Sequence, residues 1–404
     1  MRRRFRPTTL ALSSVLAFHA SLVVAQTPAD TTRPASTTAD SSRPSADTTR
    51  KTLGELPIFI TGYITTSYTY AFEHTGDRLV GRFYDRYHDQ FMANALRLGI
   101  EKLAATDKLD AGARFELLFG QDAAVTKSLG LDLGPNSDLT EAYVTVNLPT
   151  GGPDHYLQFK AGKMWTQMGY EVIDDVLDPN LSVGNQFVYL ENFTQTGLTA
   201  FLKVGPKWDF TAHIINGWDV VSDNNTSKSF MGRVGWTPGD AFSIGVLGFY
   251  GPEQAGSTEN KRYGTNIVAT VKPFSRTTVV GQFDYGKEQG LGAGGGDASW
   301  WGIGGWLLFD TGSKTQLAFR GDYVSDDDGV RSSGVLGYAV APARKFGSAT
   351  VTFNYHLVSK VILRPEFRYD FSDHEDYGDL NADGSGFGTT KSQPSIGFGA
   401  SYQF

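Results

Sequence analysis

Between residue 58 and the C-terminus, runs of alternating apolar and polar residues are separated by gaps that are short and long in strict alternation. The runs are 58–72, 91–103, 108–121, 138–148, 155–165, 194–204, 207–217, 229–237, 240–250, 261–272, 275–286, 298–310, 314–325, 346–357, 359–371 and 393–404. Period-two alternation bounded by Gly, Pro, Asp and Asn predicts strands. Short gaps include Ala104 to Asp107, Gly205-Pro206, Pro238-Gly239, Pro273-Phe274 and the single Val358, whereas the long ones run from 251–260 up to 166–193. A soluble sandwich has no reason to sort its loops in this way. A barrel that crosses a membrane does, with tight turns on one side and long loops on the other. The expected fold is therefore all-β, a transmembrane antiparallel β-barrel of about 16 strands with short periplasmic turns and long extracellular loops.

Closure follows from the solvent. Hydrocarbon offers no water to an open sheet edge, so the last strand must pair with the first. The last run, SIGFGASYQF, puts Ile396, Phe398, Ala400, Tyr402 and Phe404 on one face. Its aromatic end resembles the C-terminal signature read by the outer-membrane assembly machinery.

The N-terminus reads as an export signal. Met1 to Arg6 carry four arginines, Thr8 to Val24 are free of charge, and Val23 and Ala25 precede Gln26 at the positions of small residues before a cleavage site. That stretch is short for a membrane helix. Residues 1–25 are thus expected to be a signal peptide and 26–55 a Ser/Thr/Pro/Asp-rich periplasmic linker. The near-repeats DTTRP, DSSRP and DTTRK begin at Asp30, Asp40 and Asp47. With so few apolar residues this segment cannot offset its chain entropy, and it reads as a spacer more readily than as a cell-wall contact. Residues 56–404 form the barrel, with a long third loop at 166–193. Cysteine is absent, so no disulfide or thiolate site is available, and a net charge of −7 argues against a nucleic-acid partner.

Charge placement tests which face meets lipid, because Arg or Lys on the lipid face at mid-membrane costs roughly 2 to 4 kcal/mol. In the third run Leu109, Ala111, Ala113, Phe115, Leu117 and Phe119 share one parity, with Asp110, Arg114 and Glu116 on the other. The same separation sets Arg97 and Glu101 against Leu96, Leu98 and Ile100, and Arg320 and Asp322 against Leu317, Phe319 and Tyr323. Arg364, Glu366, Arg368 and Asp370 likewise oppose Val361, Leu363, Phe367, Tyr369 and Phe371. Lys163 breaks the rule by falling on an apolar parity, which predicts a bulge or a strand end. Tyr68, Tyr70, Phe72, Trp165, Trp208, Trp300, Trp301 and Tyr402 collect at strand ends and are expected to form interface girdles.

A cylinder of this strand number is wide enough for water. Arg97, Arg114, Lys160, Arg233, Arg320 and Arg364 are expected to line it at one height, together with Glu101, Glu116, Asp322, Glu366, Arg368 and Asp370; an equal reading makes these cations structural ion pairs with Glu101, Glu116, Asp322, Glu366 and Asp370. The third loop carries Glu171, Asp174, Asp175, Asp178 and Glu191, and is expected to fold inward so that Asp174, Asp175 and Asp178 face a basic wall of Arg97, Arg114, Arg320 and Arg364, rather than to stay exposed with its acids solvated. The stretches AGKMWTQMGYEVIDD, INGWDVVSDNN, RPEFRYDFSD and QPSIGFGASYQF resemble the OmpL-like β-barrel porin family over roughly residues 58–404. The resemblance implies an outer-membrane porin for passive diffusion of small hydrophilic solutes and ions. It carries no catalytic or ligand-binding residue over.

Other chemistry is sparse. Asp379, Asn381, Asp383 and Gly384 match half of a calcium loop, but Thr390 stands where a bidentate Glu is needed. His74, Asp85, His88 and Asp89 share one loop without the spacing of a compact metal site. No cofactor is expected, and an enzymatic or closed structural barrel is a weaker reading than a general or substrate-specific channel. The expected partners are outer-membrane lipid, the assembly machinery acting on Phe404, small solutes and further copies of the chain. The composition of the linker gives one prediction. Deleting 27–49 while keeping the signal and its cleavage site should leave barrel assembly and channel activity intact, as heat-modifiability on gels and bilayer recording would show; loss of the folded band would overturn it.

Overall fold

The structure, a computed structural model, describes residues 51–53, 56–72, 74, 76–152, 154–333, 343–378 and 388–404, with side chains from residue 58 onward. The signal segment and most of the linker lie outside the described residues. The strands are β1 (Lys51–Leu53), β2 (Leu56–Ala71), β3 (Gln90–Lys102), β4 (Asp110–Phe119), β5 (Ser137–Gly152), β6 (His155–Trp165), β7 (Thr194–Val204), β8 (Trp208–Ile215) and β9 (Ser229–Gly239), followed by β10 (Phe242–Gly251), β11 (Arg262–Phe274), β12 (Thr277–Glu288), β13 (Ala298–Gly312), β14 (Thr315–Asp326), β15 (Arg344–Val358), β16 (Val361–Ser372) and β17 (Ser392–Gln403). One short helix, α1 (Asn185–Leu190), lies in the third long loop.

Strands β2 to β17 pair antiparallel in sequence order, and β17 returns to β2 in the register Ser395↔Ala71 to Gln403↔Tyr63. Sixteen strands therefore close into a barrel. The seam runs to the last residue, since Gly62 N donates to Phe404 O at 3.0 Å and Phe404 N donates to Gly62 O at 2.9 Å. β1 is a three-residue stub that pairs with the start of β2. Each of the sixteen expected runs coincides with one barrel strand, and the short and long connections fall at opposite ends.

The faces separate by chemistry as the alternation requires. Ile100, Phe115, Phe319 and Phe367 are exposed on the outside, while Glu101, Arg114, Glu116, Arg320, Glu366 and Arg368 on the neighbouring parity are buried inside. Such a distribution is inverted with respect to a soluble protein and matches a lipid solvent. At the short-turn end, Trp208 stacks on Trp236 at 5.7 Å and Trp236 meets Phe242 edge-on at 5.8 Å, as an interfacial girdle would.

Two expectations are corrected. Trp165 and Trp300 are not at the lipid interface: both are buried inside the barrel, in a core formed with the loops. Lys163 does not mark the end of its strand, since β6 runs on to Trp165. Instead Gly162 adopts φ 135°, a conformation that favours glycine, and Lys163, Met164 and Trp165 are all buried beyond it. Lys163 Nζ lies 3.4 Å from Asp138 Oδ1 and donates to Leu139 O at 2.6 Å. The neighbouring strand helps, because a bulge at Thr140 puts Leu139 and Glu141 opposite the adjacent residues Leu117 and Glu116.

The outer face gives a direct test. Ile303 is 54% exposed near the middle of β13. Ile303→Arg should lower barrel stability by roughly 2 to 4 kcal/mol in lipid, read from urea titrations of the vesicle-folded protein. An unchanged midpoint would place this residue away from the hydrocarbon.

Candidate functional site

Beyond the strands, the interior is filled by the long loops. The third loop, 166–193, leaves β6 and crosses the barrel to the opposite wall. Phe83 and Tyr84 of the first loop join Ile173, Val183, Phe187, Val188, Tyr189, Leu190 and Phe193 of the third, and together they pack on Trp300, Val324 and Phe346 of the wall. The wall gives way where the loop comes closest. A Cβ at Gly399 would collide with Leu181, and one at Gly302 with Leu190.

Polar wall residues hold the loop backbone. Arg364 donates to Asp175 O at 2.6 Å and to Val176 O at 2.9 Å, and Arg368 donates to Val183 O at 2.5 Å. Arg320 donates to Ser182 O, and its Nη1 also meets Glu171 Oε1 at 2.6 Å. Acceptors on the wall answer the loop's amides: Glu366 takes Leu181 N at 2.7 Å and Asp322 takes Asn185 N at 3.1 Å. Gln282 takes Tyr170 N at 2.8 Å and Asn266 takes Gly169 N at 3.1 Å. Hydrogen bonds to charged groups contribute about 1.5 to 3 kcal/mol each, so together these contacts fix the loop against the inside of the barrel.

The arrangement of the expected site residues differs from the sequence picture. Loop acids and wall cations are in contact rather than facing each other across a gap. Arg97 reaches Asp174 at 3.2 Å and also pairs with Glu116. Burial pushes Asp174 up to about 7, although the Arg97 guanidinium pulls the other way. Arg114 does not face the loop, because its partners are Glu101 at 3.2 Å, Glu116 at 2.6 Å and Glu141, all on the wall. Arg364 engages carbonyls of the loop, and Asp178 accepts from Val172 N at 2.7 Å within the loop itself. Asp370 is shared by Arg368 and by Arg82 of the first loop. Along the hydrogen-bonded rows Arg320 lines up through Thr350 with Arg368, and Arg364 lies opposite Gly399.

Two of the expected cations differ from the others. Lys160 is only half-buried and lies over the Tyr143 ring at 4.9 Å. Arg233 is partly exposed and pairs with Asp209. Around them, on β8 to β11, the inward positions Asp209, Ser243, Gly245 and Thr270 also keep partial exposure. Apart from Asp110, half-buried at the start of β4, the inward charged residues of β3, β4 and β14 to β16 named above are buried.

Sequence reasoning did not single out Glu141, Asp138, Asn266, Gln282 or Asp284. The last two share the inward parity of β12 with Val280, so the alternation signal was present, but without an arginine beside them nothing drew attention to it. The half calcium loop at Asp379 to Gly384 lies outside the described residues. In the first loop Asp85 pairs with Arg82 and Asp89 accepts from Tyr68 Oη, while His74 and His88 stack edge-on at 5.1 Å.

Comparison with known proteins follows from this geometry. The family described as "Putative beta-barrel porin-2, OmpL-like" matches residues 57–404. No curated protein matches the sequence. Among solved structures, the outer membrane channel DcaP of Acinetobacter baumannii is similar with a TM-score of 0.57 at 12% identity, over 86% of this chain and 97% of that one. OmpT of Vibrio cholerae gives a TM-score of 0.55 at 13% identity, over 88% and 100%. An anion-selective porin from Comamonas acidovorans gives 0.56 at 11% identity, over 86% and 99%. At these identities the likeness is one of fold.

The anchoring contacts predict how the loop fails. Arg320→Met leaves Glu171 buried without its cation, a change that costs roughly 3 to 5 kcal/mol when one partner of a buried pair is removed. Limited proteolysis of the folded variant should then cut within 166–193, where the native protein resists. Undiminished resistance would show that other contacts suffice to hold the loop.

Proposed function

Because the chain belongs to the OmpL-like β-barrel porin family, a family of outer-membrane channels for passive diffusion, we propose that solutes pass along the β6–β11 side of its lumen, between that wall and the third loop. The observation that carries this route is the asymmetry of the interior. The charged positions that hold the loop are buried and hydrogen-bonded to it, whereas the inward positions of β8 to β11 named above keep partial exposure, as does Lys160 on β6.

On this reading Arg97, Arg320, Arg364 and Arg368 position the loop, together with Asp322 and Glu366, while Glu101, Arg114 and Glu116 brace Arg97 on the wall and Asp370 ties Arg368 to Arg82 of the first loop. Lys160 and Arg233 are the charges that passing ions meet. A narrow, partly dehydrated passage strengthens the effect of such charges on ion selectivity. Glu171, Asp174, Asp175 and Asp178 then shape the constriction through the loop's conformation, with their charge engaged by the wall or by the loop itself. The protein acts as a channel without chemistry of its own. Lipid covers the exposed apolar band, and the C-terminal strand ending at Phe404 is the segment offered to the assembly machinery. A trimer form is described for OmpT of Vibrio cholerae, and an oligomer of this chain is proposed by analogy of fold.

Planar-bilayer recording of the refolded protein tests the route. Stepwise ohmic conductance is expected. Under a salt gradient, Lys160→Gln combined with Arg233→Gln should move the reversal potential toward cation preference, and the shift should shrink at high salt, where the Debye length falls to about 3 Å at 1 M. If the double variant leaves the reversal potential unmoved, while neutralising Arg97 and Arg114 moves it, the passage runs on the other side of the loop.

A further inference from the structure

The third loop is held by two chemically different sets of contacts. Toward β14–β16 its partners include arginines. Toward β11–β13, besides the packing on Trp300 and Gly302, its polar partners are Asn266, Gln282 and Asp284, and here two carboxylates come together with no cation beside them among the described residues. Gln282 Nε2 donates to Glu191 Oε1 at 2.5 Å and to Asp284 Oδ2 at 2.7 Å, so one amide group serves both acids. Asp284 also accepts from Gln186 Nε2 at 2.7 Å and from Asn266 Nδ2 at 2.7 Å. Glu191 and Asp284 are 2% and 1% exposed, and Glu191 Oε2 has no hydrogen-bond partner among the described residues.

We propose that Glu191 and Asp284 form a proton-held latch: sharing at least one proton they tie the third loop to the β11–β13 wall, and when both are ionised the loop lets go of that wall and the passage widens. The proposal rests on the channel reading above.

Two adjacent buried carboxylates cannot both ionise cheaply, because each charge is desolvated and repels the other. The neighbouring charges do not relieve them. Glu171 adds to the negative field at Glu191, and its own charge is engaged by Arg320 at 2.6 Å. Asp322 on β14 is occupied by Asn185 and Ser348. Asn266 on β11 and Gly302 and Gly304 on β13 are uncharged. Burial, and then Asp284, push the Glu191 carboxyl well above the usual carboxylate range. The sign follows from linkage. A carboxyl whose proton is held more tightly in the docked state stabilises that state below its raised pKa and ceases to do so as the pH climbs through it. The arginine contacts respond in no such way, since guanidinium stays charged across that range. Release is therefore one-sided, a swing of the loop about its arginine-held edge.

The latch accounts for groups that a permanently fixed loop does not require. A lysine or a neutral pair at these positions would tie the loop at every pH, with less desolvation. Instead the wall presents a second acid to an acid in the loop, and among the described residues the donors offered to either are amides.

The test uses the mature protein in planar bilayers, stepped from about pH 5 to about pH 9, a window that brackets a raised carboxyl. Native conductance is expected to rise by roughly a factor of two or more across it, in proportion to the population released. Glu191→Gln and, separately, Asp284→Asn leave a single ionisable group that an amide can bond, so each should hold the low-conductance state throughout. A native channel whose conductance does not change with pH, or a rise that persists in both variants, overturns the latch. Failure of the channel reading is distinguishable, because it appears as no current at any pH. In that event the latch is read from the loop directly. The chain has no cysteine, so a single Val172→Cys reports loop accessibility to a thiol reagent. Faster labelling at alkaline pH than in the same background carrying Glu191→Gln supports the latch, and equal rates overturn it.

Discussion

Hydrocarbon cannot hydrogen-bond a peptide group, and everything else in this protein follows from that requirement. Each strand must satisfy its backbone through its neighbours, so the sheet has to close, and the closing bonds reach the terminal residue at Phe404 and Gly62. Closing sixteen strands fixes a diameter that side chains from the wall cannot fill. The interior is then either water or something the chain brings back into itself. Here the segment after β6 is brought back, long enough to cross the lumen and apolar enough at Phe187, Leu190 and Phe193 to build a core on Trp300 and Phe346.

The same demand for paired backbone groups recurs inside. The third loop is irregular apart from the six residues of α1 and a 3-10 turn at Asp175–Leu177, so its amides and carbonyls have few partners of their own and must find them across the lumen. Arg320, Arg364 and Arg368 supply donors to its carbonyls, while Glu366, Asp322, Gln282 and Asn266 accept from its amides. Most of the charge on this wall is thereby spent on positioning. A guanidinium bonded to two carbonyls, as Arg364 is, has its hydrogen-bonding capacity engaged by the loop, whereas Lys160 and Arg233 keep part of their side chains exposed.

The architecture was legible because lipid and water impose a period of two on every strand, and loop lengths report which end of the barrel each connection occupies. The faces of β3, β4, β14 and β16 could be read from single residues such as Arg97, Arg114, Arg320 and Arg364. Legibility ended where the pattern is broken by local geometry or by the loops. The inward turn of Lys163 depends on the positive φ of Gly162 and the bulge at Thr140, which no periodicity encodes. Trp165 and Trp300 sit at strand ends as girdle aromatics do, and only the arrival of the third loop shows that they face inward. The pairings of Arg114 with Glu141 and of Glu191 with Asp284 depend on register and on loop path, both of which are three-dimensional. The loop acids were visible as a group, but which of them meets an arginine and which meets another acid was not.

That last distinction separates what is rigid in the interior from what can move. An arginine on a carbonyl or carboxylate keeps its charge over any pH the outer membrane meets, so the edge of the loop near β14–β16 behaves as part of the wall. The aromatic cluster joins Phe83 and Tyr84 of the first loop to the third, so the two loops have to shift as one body, and close packing resists gradual deformation. Of the polar attachments described here, the one at β11–β13 is where a loop acid and a wall acid meet with amides rather than an arginine between them. If the interior has two states, they differ there, and the element that moves between them borders the half of the lumen where partly exposed side chains remain.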